Sequence, residues 1–232
     1  MATKTNIDTL EKMKFYNFSV FANNLTENDL KRINAIKENI KSFKELISES
    51  DYKKYFQNRW NYYQDIREDY VRDIAWWLLT KKNIDLLSNI LKNKKVLSIG
   101  SGLGYGEKWI EKVGKNIKFI ITDKGNSRFF NSKLPNWVKK IDGESALEKY
   151  QSEVDVVFLA WPPYNSDLAY NVLMNLDKNK PLIVIGEGIG GCTANDDFWL
   201  ELENKRKYDV KEIYYFDSFQ GIHDYITIIT KI

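Results

Sequence analysis

The chain has one cysteine, Cys192, and one histidine, His223, among its 232 residues. A lone thiol forms no internal disulfide, so stability must come from a packed core, as suits a reducing compartment. A lone imidazole excludes a multi-histidine metal site and a histidine dyad, and no metal is expected. Long apolar runs are missing too. No stretch approaches the roughly 18 residues that span a bilayer, and residues 1–8 lack the apolar segment of a signal peptide. The expectation is a cytoplasmic protein with no membrane partner. An excess of one charge is also lacking, since 35 Lys and Arg face 32 Asp and Glu. That balance does not support a dedicated electrostatic nucleic-acid binder, although it leaves room for a local basic face.

What is present can build a core. Hydrophobic residues make up 43% and aromatics 14%, enough for one substantial domain or a domain with an extension. The pattern changes once, near residue 93. Before it, apolar residues recur at helical spacing. Leu30, Ile33, Ile36, Ile40, Phe43 and Ile47 form one stripe, with Thr26 and Asp29 as its capping pair. A second stripe runs from Trp60 through Tyr63, Ile66, Tyr70 and Ile74 to Trp77 and Leu78. A third helix is predicted over 83–91. The aromatic cluster of Trp60, Tyr62, Tyr63, Tyr70, Trp76 and Trp77 reads first as core and second as a lid over a ligand.

After residue 93, apolar runs at 95–99, 117–122, 137–141, 154–160 and 181–185 alternate with mostly helical connections. Such alternation predicts βαβ units and a parallel sheet covered on both faces. Two further runs, 212–216 and 225–230, are separated by too few residues for a helix and predict an antiparallel hairpin. The chain is therefore expected to divide into a helical extension, 1–92, and an α/β domain, 93–232.

The sharpest local signal is Ser98-Ile99-Gly100-Ser101-Gly102-Leu103-Gly104-Tyr105-Gly106-Glu107, a strand running through glycines into a helix. Glycine at 100 and 102 lets a ligand approach the backbone and permits positive φ. The helix behind presents free N–H groups. Such turns also arise from packing alone, but Asp123 ends the next strand, where a carboxylate can accept both hydroxyls of an adenosine ribose. Ile141-Asp142-Gly143 ends the third strand, and Ala160-Trp161-Pro162-Pro163-Tyr164 ends the fourth.

Together with the terminal hairpin, these segments resemble the class I S-adenosylmethionine (SAM)-dependent methyltransferases over roughly 93–232. The Trp-Pro-Pro-Tyr motif, with the glycine-rich segment after the fifth strand, points to a poorly characterised branch. The resemblance implies a doubly wound, mostly parallel seven-stranded sheet, order 3-2-1-4-5-7-6, with SAM as cofactor. Gly100, Ser101, Gly102 and Gly104 would line its methionine side, and Asp123 and Lys124 its ribose. Asp142 and Gly143 would lie near the adenine, and Ala160 and Pro162 beside the methyl group. One departure is Ser98, where the family commonly has an acidic residue near the methionine ammonium.

Enzymes of this family that methylate base amines carry Asn or Asp before Pro-Pro-Tyr, and the aromatic ring stacks on the flipped base. Pro162, Pro163 and Tyr164 match, but Trp161 takes the acceptor position, and an indole N–H only donates. The resemblance therefore favours a small-molecule acceptor over nucleic acid. A non-catalytic SAM-binding regulator is the other alternative.

The fifth strand ends in Gly186-Glu187-Gly188-Ile189-Gly190-Gly191-Cys192-Thr193. Glycines here can gather N–H groups into an anion-binding nest. Glu187, at a carboxyl edge of the sheet, is a candidate general base, equally weighed against a solvated turn residue. Thr193 with Asp196 is the predicted helix cap. Tyr164, Glu187 and Trp161 are the candidate catalytic residues. Cys192 is expected to be a buried packing thiol, and His223 a surface residue.

Overall fold

The computed structural model describes residues 25–57, 63–125, 130 and 133–232. Seven strands form one sheet in the order β3-β2-β1-β4-β5-β7-β6. They are β1 Lys95–Ile99, β2 Lys118–Asp123, β3 Val138–Lys140, β4 Val156–Ala160, β5 Pro181–Gly186, β6 Tyr208–Ile213 and β7 Tyr225–Lys231. The first five are parallel, and β7 runs antiparallel to both β5 and β6. This is the order expected from the sequence.

The helices, in chain order, are α1 Glu27–Lys41, α2 Glu49–Asp51, α3 Tyr63–Asp73, α4 Lys81–Ile90 and α5 Tyr105–Val113. After them come α6 Gly143–Tyr150, α7 Leu168–Asn175 and α8 Asp196–Leu202. A π-helical turn, Tyr52–Gln57, continues α2.

The central strands are apolar at nearly every position because both faces are covered. Val96, Val156, Phe158, Ile183 and Ile185 point to one face, where they join Ile36, Ile40, Tyr70, Leu78, Leu87, Trp109 and Ile110. Leu97, Val157, Leu159, Leu182 and Val184 point to the other, against Leu147, Val172, Leu173 and Phe198. The residues before β1 thus share one apolar cluster with the α5 side of the sheet. Buried side chains of this kind contribute about 1.5–3 kcal/mol each.

Helix α1 starts as the sequence predicts. Thr26 Oγ1 accepts the Asp29 N–H at 3.2 Å, and Asp29 Oδ2 accepts the Thr26 N–H at 3.1 Å, a complete capping box. Its stripe needs two corrections. Leu30 is exposed, and the helix stops before Phe43, which adopts φ 55°. Ile47 instead forms an isolated parallel bridge with Thr80. Thr80 in turn caps α4 by accepting the Asn83 N–H.

The second stripe also ends early. Helix α3 finishes at Asp73, so Trp76 and Trp77 lie in a bend beyond it. Trp60 and Tyr62 lie outside the described residues.

β6 is displaced toward the N-terminus from the predicted 212–216. Tyr214 and Tyr215 are exposed, and Asp217 draws the chain away from the sheet. Its carboxylate accepts from Thr80 Oγ1 at 2.9 Å and Lys82 Nζ at 2.7 Å, and its backbone bonds both ways to the Asn83 side chain. Edge position explains the weak signal, since most β6 side chains face solvent. Among the described residues, no helix is long and apolar enough to cross a membrane.

Candidate functional site

The glycine turn joins the carboxyl end of β1 to α5. Gly100, Gly102 and Gly104 have φ of 67°, 61° and 69°, a region that residues with a Cβ rarely enter. The turn is tied to its neighbouring strand. Ser101 N–H donates to Thr122 O at 3.0 Å, and Asp123 Oδ2 accepts the Gly102 N–H at 2.9 Å. Asp123 Oδ1 accepts the Gly125 N–H at 2.7 Å. The buried Asp123 carboxylate therefore braces the turn, and each oxygen keeps acceptor capacity beyond these bonds.

Close approach differs along the turn. A Cβ on Gly100 would meet only Leu168 Cδ2, at 3.5 Å, whereas one on Gly102 would lie 2.7 Å from Phe130 Cζ. Ser101 Oγ is buried without a hydrogen-bond partner among the described residues. Helix α5 starts at Gly104 with no side chain capping it.

Behind the turn lies a carboxyl group that the sequence motif does not announce. Ser98 Oγ donates to Glu107 Oε1 at 2.6 Å, and both residues are fully buried. Burial pushes the Glu107 carboxyl up to about 7, Ser98 opposes this, and Asp123 and Glu111 add to it. The one available signal was an acidic residue in the first turn of the helix that packs on Ser98.

The remaining expected cofactor residues are spread along the same edge. Asp142 is the exposed cap of α6, with Oδ1 accepting the Ser145 N–H at 3.0 Å. Gly143 is closely covered by Leu168 and Ile99. Lys124 is exposed, Ala160 is half-buried and Pro162 is buried.

At the end of β4, Trp161 is 8% exposed and holds φ 55°. A positive φ at an aromatic residue costs on the order of 1–3 kcal/mol, and the surroundings must enforce it. They do so on several sides. Trp161 N–H donates to Ile185 O at 2.8 Å, and its ring stacks on Trp76 with centroids 5.5 Å apart and planes at 23°. The Arg67 guanidinium lies over the Trp161 and Trp76 rings at 5.2 and 5.4 Å. The Trp161 indole N–H donates to Asp224 Oδ1 at 2.9 Å. Trp77, next in the chain after Trp76, packs against Gly106 of α5. The Trp76-Trp77 pair thus links the first turn of α5 to the end of β4.

Asp224 was missed by sequence reasoning. It precedes β7, where Tyr225 pairs with Gly186 at the carboxyl end of β5. Asp224 is 4% exposed, and Oδ2 is buried without a partner among the described residues. Burial pushes its carboxyl up to about 7, with Glu187 adding to the effect and Trp161 and Arg67 opposing it.

The other catalytic candidates are placed differently. Glu187 holds loops together, as Oε2 accepts the Cys192 N–H at 3.0 Å and Oε1 the His223 N–H at 3.4 Å. Tyr164 is 59% exposed and lines a separate shallow cleft with Gly191, Ala194 and Asn195. The Pro162 carbonyl accepts the Ala194 N–H at 2.8 Å. Of the two acceptors that a base-methylating motif would present, position 161 is a donor and the Pro162 carbonyl is already engaged.

Two further expectations are corrected. Cys192 is exposed, because the glycine segment carries it outward. The cap of α8 is Asn195, which accepts the Phe198 N–H at 3.1 Å, while Thr193 donates to Glu187 O. His223 is exposed, as expected.

The sheet order and reversed β7 define the fold of the class I SAM-dependent methyltransferases. No protein-family model matches the chain, and no curated protein matches its sequence. Solved structures match at low identity. Human N-acetylserotonin methyltransferase in complex with SAM is 13% identical with a TM-score of 0.45, over 74% of this chain and 58% of that one. The B. subtilis tRNA methyltransferase TrmK is 15% identical with a TM-score of 0.43, over 65% of each chain. An rRNA methylase from Streptococcus thermophilus is 11% identical with a TM-score of 0.39, over 65% of this chain and 94% of that one. What each of these binds or modifies is a property of that protein.

Proposed function

We propose that the chain is a SAM-dependent methyltransferase acting on a small-molecule acceptor. The observation that carries this reading is the Gly100–Gly104 turn, three glycines at positive φ, braced through Gly102 by the carboxylate that ends β2. It stands at the carboxyl edge of a parallel sheet, where open α/β folds bind ligands.

The residues present fit the cofactor. Space over Gly100 and the unpartnered Ser101 hydroxyl suit the methionine end. The remaining acceptor capacity of Asp123 suits the ribose hydroxyls, and Lys124 lies beside it. Asp142 and Gly143 stand at the next strand end, toward the adenine. Glu107, close behind the turn, supplies the carboxyl charge that position 98 lacks, and an ammonium drawn to it would ionise it fully. SAM, when bound, supplies an electrophilic methyl group on a sulfonium centre.

The protein's own contribution is mainly placement. Trp76 and Trp161 form an apolar wall that keeps water from the end of β4. Ala160 and Pro162 fix the chain beside it. Glu187 ties the loop after β5 to the loop before β7. Tyr164, on the outer side, could act only on a group reaching the second cleft.

Isothermal titration calorimetry with SAM and its demethylated product tests the reading. Binding of both is expected, and it should be lost in Gly102→Val with the circular dichroism spectrum kept. No heat and no thermal shift with either compound would refute it.

A further inference from the structure

Charge is segregated along the strands. The registers bring the entering ends of β2, β1, β4, β5 and β6, and the closing end of β7, into one line. Lys95 pairs with Lys118, Pro181 with Thr230 and Tyr208 with Lys231. The Asp155 N–H donates to Lys95 O, and the Ile232 N–H to Lys207 O. The segments at this edge, 91–95, 114–118, 151–155, 177–180, 203–207 and 231–232, hold eleven Lys and Arg against four Asp and Glu. At the carboxyl edge, segments 100–104, 123–125, 141–144, 161–167, 187–197 and 214–224 hold nine Asp and Glu against one lysine. The small net charge conceals this division. A merely lysine-rich composition would raise both edges alike, so the asymmetry belongs to the fold.

Asparagine stands at the tips of the basic turns. Asn93, Asn116 and Asn179 adopt φ of 60°, 53° and 63°. Each adjoins lysine, as Lys92-Asn93-Lys94, Lys115-Asn116 and Lys178-Asn179-Lys180, and all three tips are exposed. Lys94, Lys118, Lys178 and Arg206 are exposed as well. Other charges on the edge are already engaged. Lys95 pairs with Glu153 at 3.1 Å and Lys207 with Glu201 at 3.0 Å. Lys180 and Lys231 donate to the Val154 and Met174 carbonyls, contacts that orient an ammonium without neutralising it.

We infer that this basic edge is a docking surface for double-helical RNA, held by its backbone. Neighbouring strands lie about 4.8 Å apart, so the line from β2 to β6 spans roughly 24 Å, about seven base-pair steps of a stacked duplex. Lysine and arginine take the phosphates. The asparagine amides between them both donate and accept, which suits the 2′-hydroxyl that RNA sets beside each phosphate. The tips carry asparagine where stacking on a base would call for an aromatic ring, so shape is read rather than sequence. A membrane-docking surface would instead place apolar side chains at such tips. The acidic opposite edge repels the same partner and fixes which end docks. One strand length, roughly 16 Å, separates this edge from the glycine turn. The RNA is therefore a docking partner and not the methyl acceptor, and the inference does not rest on the methyltransferase reading.

The test titrates a fluorescein-labelled RNA duplex of mixed sequence, about 12 base pairs long, with the full chain and reads fluorescence anisotropy over a series of KCl concentrations. A DNA duplex of the same sequence and phosphatidylserine vesicles are the comparisons. The RNA should bind at low salt, more tightly than the DNA, with affinity falling steeply as salt rises. Each of Lys94→Gln, Lys118→Gln, Lys178→Gln and Arg206→Gln should lower the salt slope by about 1. The four together should weaken binding by about tenfold or more, with the melting temperature little changed because all four side chains are exposed. Lys31→Gln, on the exposed face of α1, should bind as the wild type does. Asn93→Gly and Asn179→Gly keep the left-handed turns and should bring RNA affinity down toward that for DNA. No binding at low salt, undiminished binding in the fourfold variant, DNA bound as tightly as RNA, or capture by the vesicles in preference to RNA would each overturn the inference.

Discussion

The Ser98 hydroxyl and the Glu107 carboxylate meet at 2.6 Å in the buried angle between β1 and α5. In the proposed SAM complex, Glu107 would supply from the helix, nine residues on, the acidic group that the strand lacks. A carboxyl this deep without a cation is costly when charged, and burial holds it up to about 7. Glu107→Gln keeps the acceptor for Ser98 and removes the charge. SAM affinity at pH 8 is expected to fall by about 1.5–3 kcal/mol, the scale of a charge-assisted hydrogen bond, while the apo protein gains stability at that pH. Calorimetry and thermal melts of the two proteins check both effects, and unchanged affinity would remove Glu107 from the cofactor site.

The raised acids give stability a definite pH dependence. Asp224 and Glu107 rise from ordinary carboxyl values of 3.8 and 4.5 to about 7 in the folded chain. Each binds a proton more readily when folded than when unfolded. Their effect is absent below pH 4, where both states are protonated. Stability then falls as pH climbs from about 4 to about 7 and levels off above, where both states are ionised. Carboxylates held low act in the opposite sense at more acidic pH. Asp29 is lowered chiefly by its bond from Lys54; Asp51 is lowered by Arg32 and Ser48 against the cost of burial. Urea midpoints should therefore peak near pH 4–5 and decline toward neutrality. The double variant Glu107→Gln/Asp224→Asn should flatten that decline.

Much of the sheet was legible because buried parallel strands are nearly continuous apolar runs, as in residues 154–160 and 181–185. The glycine turn was legible because it follows such a run directly and Asp123 ends the next one. β6 was misplaced because Tyr214 and Tyr215 look like strand residues, while the force that moves them off the sheet is the remote grip of Thr80, Lys82 and Asn83 on Asp217. Asp224 was invisible for a related reason. Its partner Trp161 lies 63 residues away, and only the reversal of β7 brings them together. Local pattern reads secondary structure and one-turn motifs, whereas a pair such as Trp161 and Asp224, brought together by the end of β4 and the start of β7, is written in pairings that no window contains.

Asp123 has two roles that mutation can separate. Its carboxylate holds the Gly102 and Gly125 amides, and in the proposed complex it also accepts the ribose hydroxyls. Asp123→Ala removes both roles. It should cost about 1.5–3 kcal/mol of SAM affinity and raise amide hydrogen exchange at Gly102 even without ligand. Asp123→Asn retains one carbonyl acceptor and should hold the turn better than it holds the ribose, so exchange at Gly102 stays closer to wild type while affinity falls. Wild-type affinity in the alanine variant would show that the ribose is held elsewhere.

Trp161 reports most directly on the chemistry of Asp224. Trp161→Phe preserves an aromatic ring against Trp76 and deletes the indole N–H. Asp224 then loses the bond that opposes the effect of burial, so both of its oxygens lie unsatisfied. Its carboxyl should titrate above 7 and above the wild-type midpoint, measured by ¹³C spectra of labelled aspartate. Stability at pH 8 should drop by about 1–3 kcal/mol, the cost of a buried acceptor left without its donor. The loss should be smaller near pH 5, where the protonated carboxyl needs less compensation. Asp224→Asn in the same background should recover part of the stability at pH 8, because a neutral amide tolerates the vacated space better than a carboxylate. An unmoved titration midpoint in Trp161→Phe would mean that the indole bond does not control the acid.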